Sequence, residues 1–143
     1  MTPSSPAFTK NPSRESEPGT GSTVLLAEDD RATRLVLSSL LLRRGYQVET
    51  ALNGAVLLDR LLAFLDGAGG ASVALVITDI QMPGLTGLEV LEAVQSYPAA
   101  PPFIVLSAFS DEETRASALR LGARDVIDKP FDLERLLTSV GAA

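Results

Sequence analysis

Thr23-Val24-Leu25-Leu26-Ala27-Glu28-Asp29-Asp30 sets a short run suited to a buried strand directly before three carboxylates. The next segment has a different period. Arg31 to Arg43 carries Leu35, Val36, Leu40 and Leu42 at helical spacing, and Gly45 is placed to end that helix. The alternation then repeats. Tyr46 to Thr50 reads as strand two, Asn53 as the cap of a second helix over Ala55 to Leu65, and Asp66-Gly67-Ala68-Gly69-Gly70-Ala71-Ser72 as a loose connection to strand three at Val73 to Thr78. Thr86-x-x-Glu89 and Ser110-x-x-Glu113 read as capping boxes of helices three and four, and Asp132 as the start of helix five. Phe103 to Leu106 is strand four, and Arg124 to Ile127 is strand five after Leu121-Gly122-Ala123. Five strand-helix units of this kind predict an α/β, doubly wound (βα)5 domain with helices on both faces of a parallel sheet. Right-handed crossovers favour the strand order 2-1-3-4-5, with a ligand crevice at the carboxyl ends of strands one and three.

The composition bounds what such a domain can do. A chain of 143 residues, 45% of them apolar and 21% charged, holds one ordinary core. A net charge of −6 and the lack of any Lys/Arg-rich run argue against direct nucleic-acid binding. With no cysteine there is no disulfide, thiol nucleophile or thiolate metal site. With no histidine there is no Ser-His-Asp triad and no phosphohistidine on this polypeptide, so histidine chemistry has to come from a partner. Residues 1–22 are rich in Pro, Ser, Gly and Thr and read as a disordered tail, leaving 23–143 for the folded domain. The sequence shows neither the apolar core of a signal peptide nor a stretch long enough to span a bilayer, and a cytoplasmic protein without membrane contact is expected.

Four strand ends carry the chemistry. Glu28 and Asp29 follow strand one, Asp79 follows strand three, Ser107 strand four and Lys129 strand five. The predicted topology brings them to one edge of the sheet. Ten of the twelve basic residues are Arg, and Lys129 is the sole lysine outside the tail, which marks a position suited to a compact ammonium that can meet a phosphoryl oxygen. Three carboxylates against one ammonium leave a local charge of −2, which invites a divalent cation with oxygen ligands, magnesium being the natural candidate. At an effective dielectric of about 20, each like-charged pair 4 Å apart costs about 4 kcal/mol, so compensation by Lys129 or a metal is required. Asp79 stands alone at its strand end and is the best nucleophile, able to form an acyl phosphate. Magnesium, Lys129 and the Ser107 hydroxyl suit the stabilisation of charge on phosphoryl oxygens.

From about Thr23 to Val140 the chain resembles the receiver domain of two-component response regulators, and is similar to the single-domain chemotaxis and sporulation regulators. The motifs that carry the resemblance are Val24-Leu25-Leu26-Ala27-Glu28-Asp29-Asp30, Asp79-Ile80-Gln81-Met82-Pro83-Gly84, Ser107-Ala108 and Lys129-Pro130-Phe131, in that order. The resemblance implies a flavodoxin-like three-layer sandwich. It also implies a phosphoacceptor at Asp79, charged by a histidine kinase or a histidine phosphotransfer protein. Magnesium would be held by Glu28, Asp29, Asp79 and the backbone carbonyl of Gln81, while Ser107 and Lys129 contact the phosphoryl oxygens and the Lys129-Pro130 peptide is cis. The chain would then be a switch and not an enzyme, a monomer or weak dimer that acts on an unnamed downstream protein. Three positions depart from the family pattern. Glu28 stands for the commoner aspartate, Thr86 for an aspartate that caps helix three, and Val126 for the Tyr or Phe that many receivers rotate inward on phosphorylation, which shifts the expected readout toward Ser107 and its loop.

Simpler readings exist for each motif. Asp79 can cap a turn before Met82-Pro83, and Glu28-Asp29-Asp30 can favour the positive end of helix one. Arg31, Arg34, Arg43 and Arg44 read as a solvated face, and the leucines of helices one and two as core. The glycines of the 66–72 connection are not followed by the Gly-Lys-Ser/Thr of a P-loop. Phe109 and Gln81 flank the site and are expected to tune the lifetime of an acyl phosphate. Two rival functions remain: a phosphorylation-independent interaction module, and a magnesium-dependent phosphatase with an aspartyl nucleophile. The phosphatase would call for a second acid two residues after Asp79, where this chain has Gln81.

Overall fold

Strand β1 (Thr23–Ala27) is buried along its whole length, the pattern of a strand covered on both faces. A computed structural model describes residues 22–67, 73–108 and 111–142. After β1 come α1 (Arg31–Arg43), β2 (Gln47–Ala51), α2 (Gly54–Leu65), β3 (Val73–Asp79), α3 (Gly87–Val94), β4 (Phe103–Ser107), α4 (Glu112–Arg120), β5 (Asp125–Asp128) and α5 (Leu133–Ala142). All strand pairs are parallel, in the order β2-β1-β3-β4-β5, as expected.

The two-residue period of the strands divides the core. Leu26, Ile77, Ile104 and Leu106 point to one face, where Leu37 and Leu41 of α1 and Leu136 and Val140 of α5 cover them. Leu25, Val76, Phe103 and Val105 point to the other, under Leu57 and Leu61 of α2, Val90 and Val94 of α3 and Ala118 of α4. The result is a three-layer sandwich with every reactive group at the carboxyl edge of the sheet.

The termini of the elements correct several expectations. β1 and α1 have the expected bounds, since Asp30 caps α1 through Thr33 N–H and Gly45 leaves it at φ 94°. The other strands run one residue further than their apolar runs, so that Asp79 and Ser107 are the last residues of β3 and β4 and do not follow them. β2 and β5 also begin one residue later than expected. Helix α4 is capped by Asp111, whose carboxylate accepts from Thr114 N–H, in place of the expected cap at Ser110. Ser110, Phe109, the connection 68–72 and residues 1–21 lie outside the described residues. In α1 the buried leucines are Leu37 and Leu41, while Leu35, Val36 and Leu42 are exposed, so not every leucine of this helix is core.

Candidate functional site

The register delivers the site. Ala27 of β1 lies beside Thr78 of β3, Asp79 beside Leu106 of β4, and Ser107 beside Asp128 of β5. One step beyond β1 is Glu28, and one step beyond β5 is Lys129. Glu28, Asp29 and Asp79 each offer a carboxylate oxygen within 4.8 Å of the others. The Lys129 ammonium joins them, 2.8 Å from Glu28 Oε1 and 2.7 Å from Asp79 Oδ2. Ser107 is buried at the end of β4, and its carbonyl accepts the Lys129 N–H at 2.7 Å. All five residues expected at the site therefore come from one edge, and the Lys129-Pro130 peptide is cis, as expected.

Each acid is held differently. Glu28 is fully buried; its Oε1 pairs with Lys129 and its Oε2 accepts Asp30 N–H at 3.0 Å. Burial pushes its carboxyl above the usual range, against the lowering pull of Lys129 and the Asp30 amide. Asp79 is buried as well, with Oδ1 accepting Gln81 N–H at 3.2 Å and Oδ2 accepting from Lys129. Burial pulls the Lys129 ammonium down, but contacts with Asp79 and Glu28 outweigh it and hold the group above its ordinary value. Asp29 remains exposed, open to a ligand from solvent. Asp30 does not join the cluster. Its carboxylate accepts from the Thr33 amide at 2.9 Å and hydroxyl at 2.6 Å, so the simple reading as a helix cap is right for this one acid of the three.

The loop after Asp79 is pinned by packing. Ile80 and Met82 are buried in the core, and Ile80 N–H donates to Leu106 O at 2.9 Å. Gly87 opens α3 directly under the Asp79 carbonyl, where a Cβ would strike that oxygen and crowd Thr78 Oγ1. Thr78, fully buried, donates its hydroxyl to the same carbonyl at 3.0 Å. Thr86 caps α3 in a complete capping box with Glu89, so threonine serves at this position.

Two arginines take roles that the sequence reading does not give them. Arg34, read from sequence as part of a solvated face, donates from Nη1 to the Glu28 carbonyl at 2.9 Å. Arg115 of α4 donates to Val126 O at 3.2 Å and Asp128 Oδ1 at 3.3 Å, tying α4 to β5 where Val126 stands, its side chain buried. The sequence does hold a signal for Arg34: the first turn of α1 has no acid and two arginines at the positive end of the helix dipole.

None of the described helices is long and apolar enough to cross a membrane. Residues 24–141 match the model of the response regulator receiver domain. The chain is 32% identical to the transcriptional regulatory protein FixJ of Bradyrhizobium diazoefficiens over 84% of its own length and 55% of that protein's. It is 38% identical to the DNA-binding transcriptional regulator NtrC of Rhizobium meliloti over 87% of its length and 24% of that protein's. It thus spans about half or less of these curated relatives. Among solved structures, a response regulator receiver protein from Pseudomonas putida superposes with a TM-score of 0.74 at 28% identity, covering 87% of this chain and 98% of that one. The chemotaxis protein CheY4 of Vibrio cholerae does so with 0.71 at 31% identity, covering 85% and 97%. With an acid cluster, a bridging lysine and the strand order all at one sheet edge, the chain belongs to the response regulator receiver domain family of two-component systems.

Proposed function

We propose that Asp79 accepts a phosphoryl group from the phosphohistidine of a histidine kinase or a histidine phosphotransfer protein, and that the phosphorylated domain changes its binding to a downstream protein. The observation that carries this reading is the Lys129 ammonium bridging Glu28 and Asp79 beside the exposed Asp29. In the transfer, an Asp79 carboxylate oxygen forms the O–P bond as the N–P bond of the donor breaks, and the imidazole keeps the electron pair and takes a proton. Lys129, 2.7 Å from Asp79 Oδ2, would meet the oxygens that gain charge, and Ser107, at the end of the neighbouring strand β4, would donate its hydroxyl to one of them. Glu28, Asp29, Asp79 and the Gln81 carbonyl would hold magnesium, a fit supported by three carboxylate oxygens within 4.8 Å of one another. The bound cation would neutralise charge shared by the carboxylates and the phosphoryl group.

The chain then acts as a switch whose only chemistry is its own phosphorylation and dephosphorylation. Its setting is the cytoplasm, where ATP supplies the partner kinase. Intact-protein mass spectrometry after incubation with a small phosphodonor, with and without magnesium, tests the reading. A single magnesium-dependent phosphoryl adduct, absent in Asp79→Asn, is expected. No adduct on folded protein, with no response to histidine kinases, would favour a phosphorylation-independent interaction module. Sustained turnover of phosphate monoesters would favour the phosphatase.

A further inference from the structure

Arg34 engages three consecutive backbone carbonyls. Its own N–H donates to Asp30 O at 2.9 Å as the first bond of α1, while its Nη1 turns back to Glu28 O at 2.9 Å and reaches Asp29 O at 3.5 Å. These three residues form the turn from β1 into α1, and the first two supply two carboxylates of the acid cluster. The side chains of the turn are tied by Lys129 at Glu28 and by Thr33 at Asp30, but its backbone is held more loosely. Glu28 N–H reaches Ala51 O at 3.3 Å, near the limit of a useful bond, and Asp29 is exposed. Arg34 sits near the positive end of the α1 dipole, a placement offset by the capping Asp30 carboxylate, which it helps to keep ionised, and by the carbonyls it reaches.

We propose that Arg34 is a positioning residue of the metal site. It holds the Glu28-Asp29 backbone so that both carboxylates face Asp79, and magnesium affinity depends on it although it ligates nothing. This inference rests on the receiver reading of the site. The sign of the effect is diagnostic. A guanidinium near a cation site repels the cation, so a bystander charge would weaken binding and its removal would strengthen it. A positioning arginine has the opposite effect, because loss of partners that orient the ligands costs about 10- to 100-fold in metal affinity.

The test is magnesium titration by calorimetry on the full chain, comparing the parent with Arg34→Met, Arg34→Lys and Arg31→Met. Arg31 lies in the same first turn and is exposed, so its substitution removes the same charge without touching the carbonyls. Arg34→Met is expected to bind magnesium at least about tenfold more weakly than the parent. Arg31→Met is expected to match the parent or bind slightly more tightly, and Arg34→Lys, with its charge and one donor group, to recover part of the loss. Melting of each protein in chelator separates a merely structural role, since positioning moves the affinity more than the metal-free stability. Should Arg34→Met fail to fold, Arg34→Lys decides: affinity between those of the parent and a tenfold loss supports the role, and affinity at or above the parent's overturns it. Arg34→Met binding as tightly as the parent, or tracking Arg31→Met, also overturns it. A parent that binds no magnesium and takes no phosphoryl group overturns the phosphoacceptor reading of the site as well, and shows this before any substitution is compared.

Discussion

Lys129 Nζ lies 2.8 Å from Glu28 Oε1, an ion pair between residues 101 apart in sequence that closes the two ends of the domain onto one site. The same ammonium reaches Asp79, so a single cation serves two buried carboxylates. Burial of Glu28 outweighs that help, and its carboxyl stays above its ordinary value. A carboxyl raised in the folded protein binds its proton more tightly there than in the unfolded chain, so its ionisation lowers stability as pH rises through that window.

Glu28→Gln removes that cost while leaving Lys129 paired with Asp79. Its melting temperature in chelator at pH 7 is expected to be no lower than the parent's. Its magnesium affinity is expected to fall at least about tenfold, since loss even of a residue that only orients a ligand does as much. Parallel melting and magnesium titration check this pair of outcomes. A metal-free protein clearly less stable than the parent would show that the Lys129 pair, and not desolvation, dominates at Glu28.

Gly87→Ala tests how Asp79, the proposed phosphoacceptor, is held. A methyl group at Gly87 would collide with the Asp79 carbonyl oxygen, which is backbone and cannot swing away. Overpacking of this kind costs about 1–3 kcal/mol. At Gly141, by contrast, nothing lies within 4 Å and the residue is helical, so Gly141→Ala is expected to be neutral or stabilising by up to about 1 kcal/mol. Urea unfolding of both gives the comparison. Phosphorylation of Gly87→Ala is expected to be slower even where it is folded, because the collision displaces Asp79 itself.

The sequence is most readable where both ends of an element carry local chemistry. Asp30 and Gly45 bracket α1, and its bounds match the expectation to the residue. The ends of β3 and β4 differ from it because pairing sets them: Asp79 remains strand beside Leu106, and the next amide donates to Leu106 O, a fact held by the neighbouring strand and not by the apolar run. The cap of α4 moves by one residue since Ser110 and Asp111 both have suitable side chains, and three-residue spacing serves either. The site acids are legible as strand ends of one topology. Arg34 is not, because a bond from a side chain to carbonyls five and six residues earlier leaves no trace in residue type beyond an arginine at the wrong end of a helix.

Thr86 offers a clean local measurement. Its hydroxyl accepts Glu89 N–H at 3.2 Å, and the Glu89 carboxylate accepts Thr86 N–H at 2.8 Å. Thr86→Ala breaks one half of this box and is expected to cost about 1 kcal/mol, while Thr86→Asp restores a strong cap and is expected to equal or exceed the parent. Denaturant midpoints decide the matter. A Thr86→Ala protein as stable as the parent would mean that packing of Val90, Leu91 and Val94, and not the cap, fixes the start of α3.

The acid limb of stability has a located contributor in Asp125. Its bonds with Arg135, at 2.7 and 3.0 Å, hold its carboxyl below the usual carboxylate range against partial burial, with Ser139 and the Val126 amide adding to the effect. A carboxyl lowered in the folded state stabilises the protein above the ordinary value of 3.8 and loses that contribution as pH falls through the folded one. Because Arg135 is half exposed, the pair is worth below about 1 kcal/mol. Asp125→Asn is therefore expected to be less stable than the parent at pH 7, with the difference closing as pH falls below the ordinary value of 3.8 and through the lowered folded-state one. Asp30 and Asp111, lowered by their bonds to Thr33 and Thr114, titrate with the same sign in both proteins and cancel from the comparison. Urea midpoints measured across that range give the difference directly. A gap that stays constant as pH falls would show that the substitution costs packing or hydrogen bonds alone, and that the charge of Asp125 contributes nothing to holding α5 against β5.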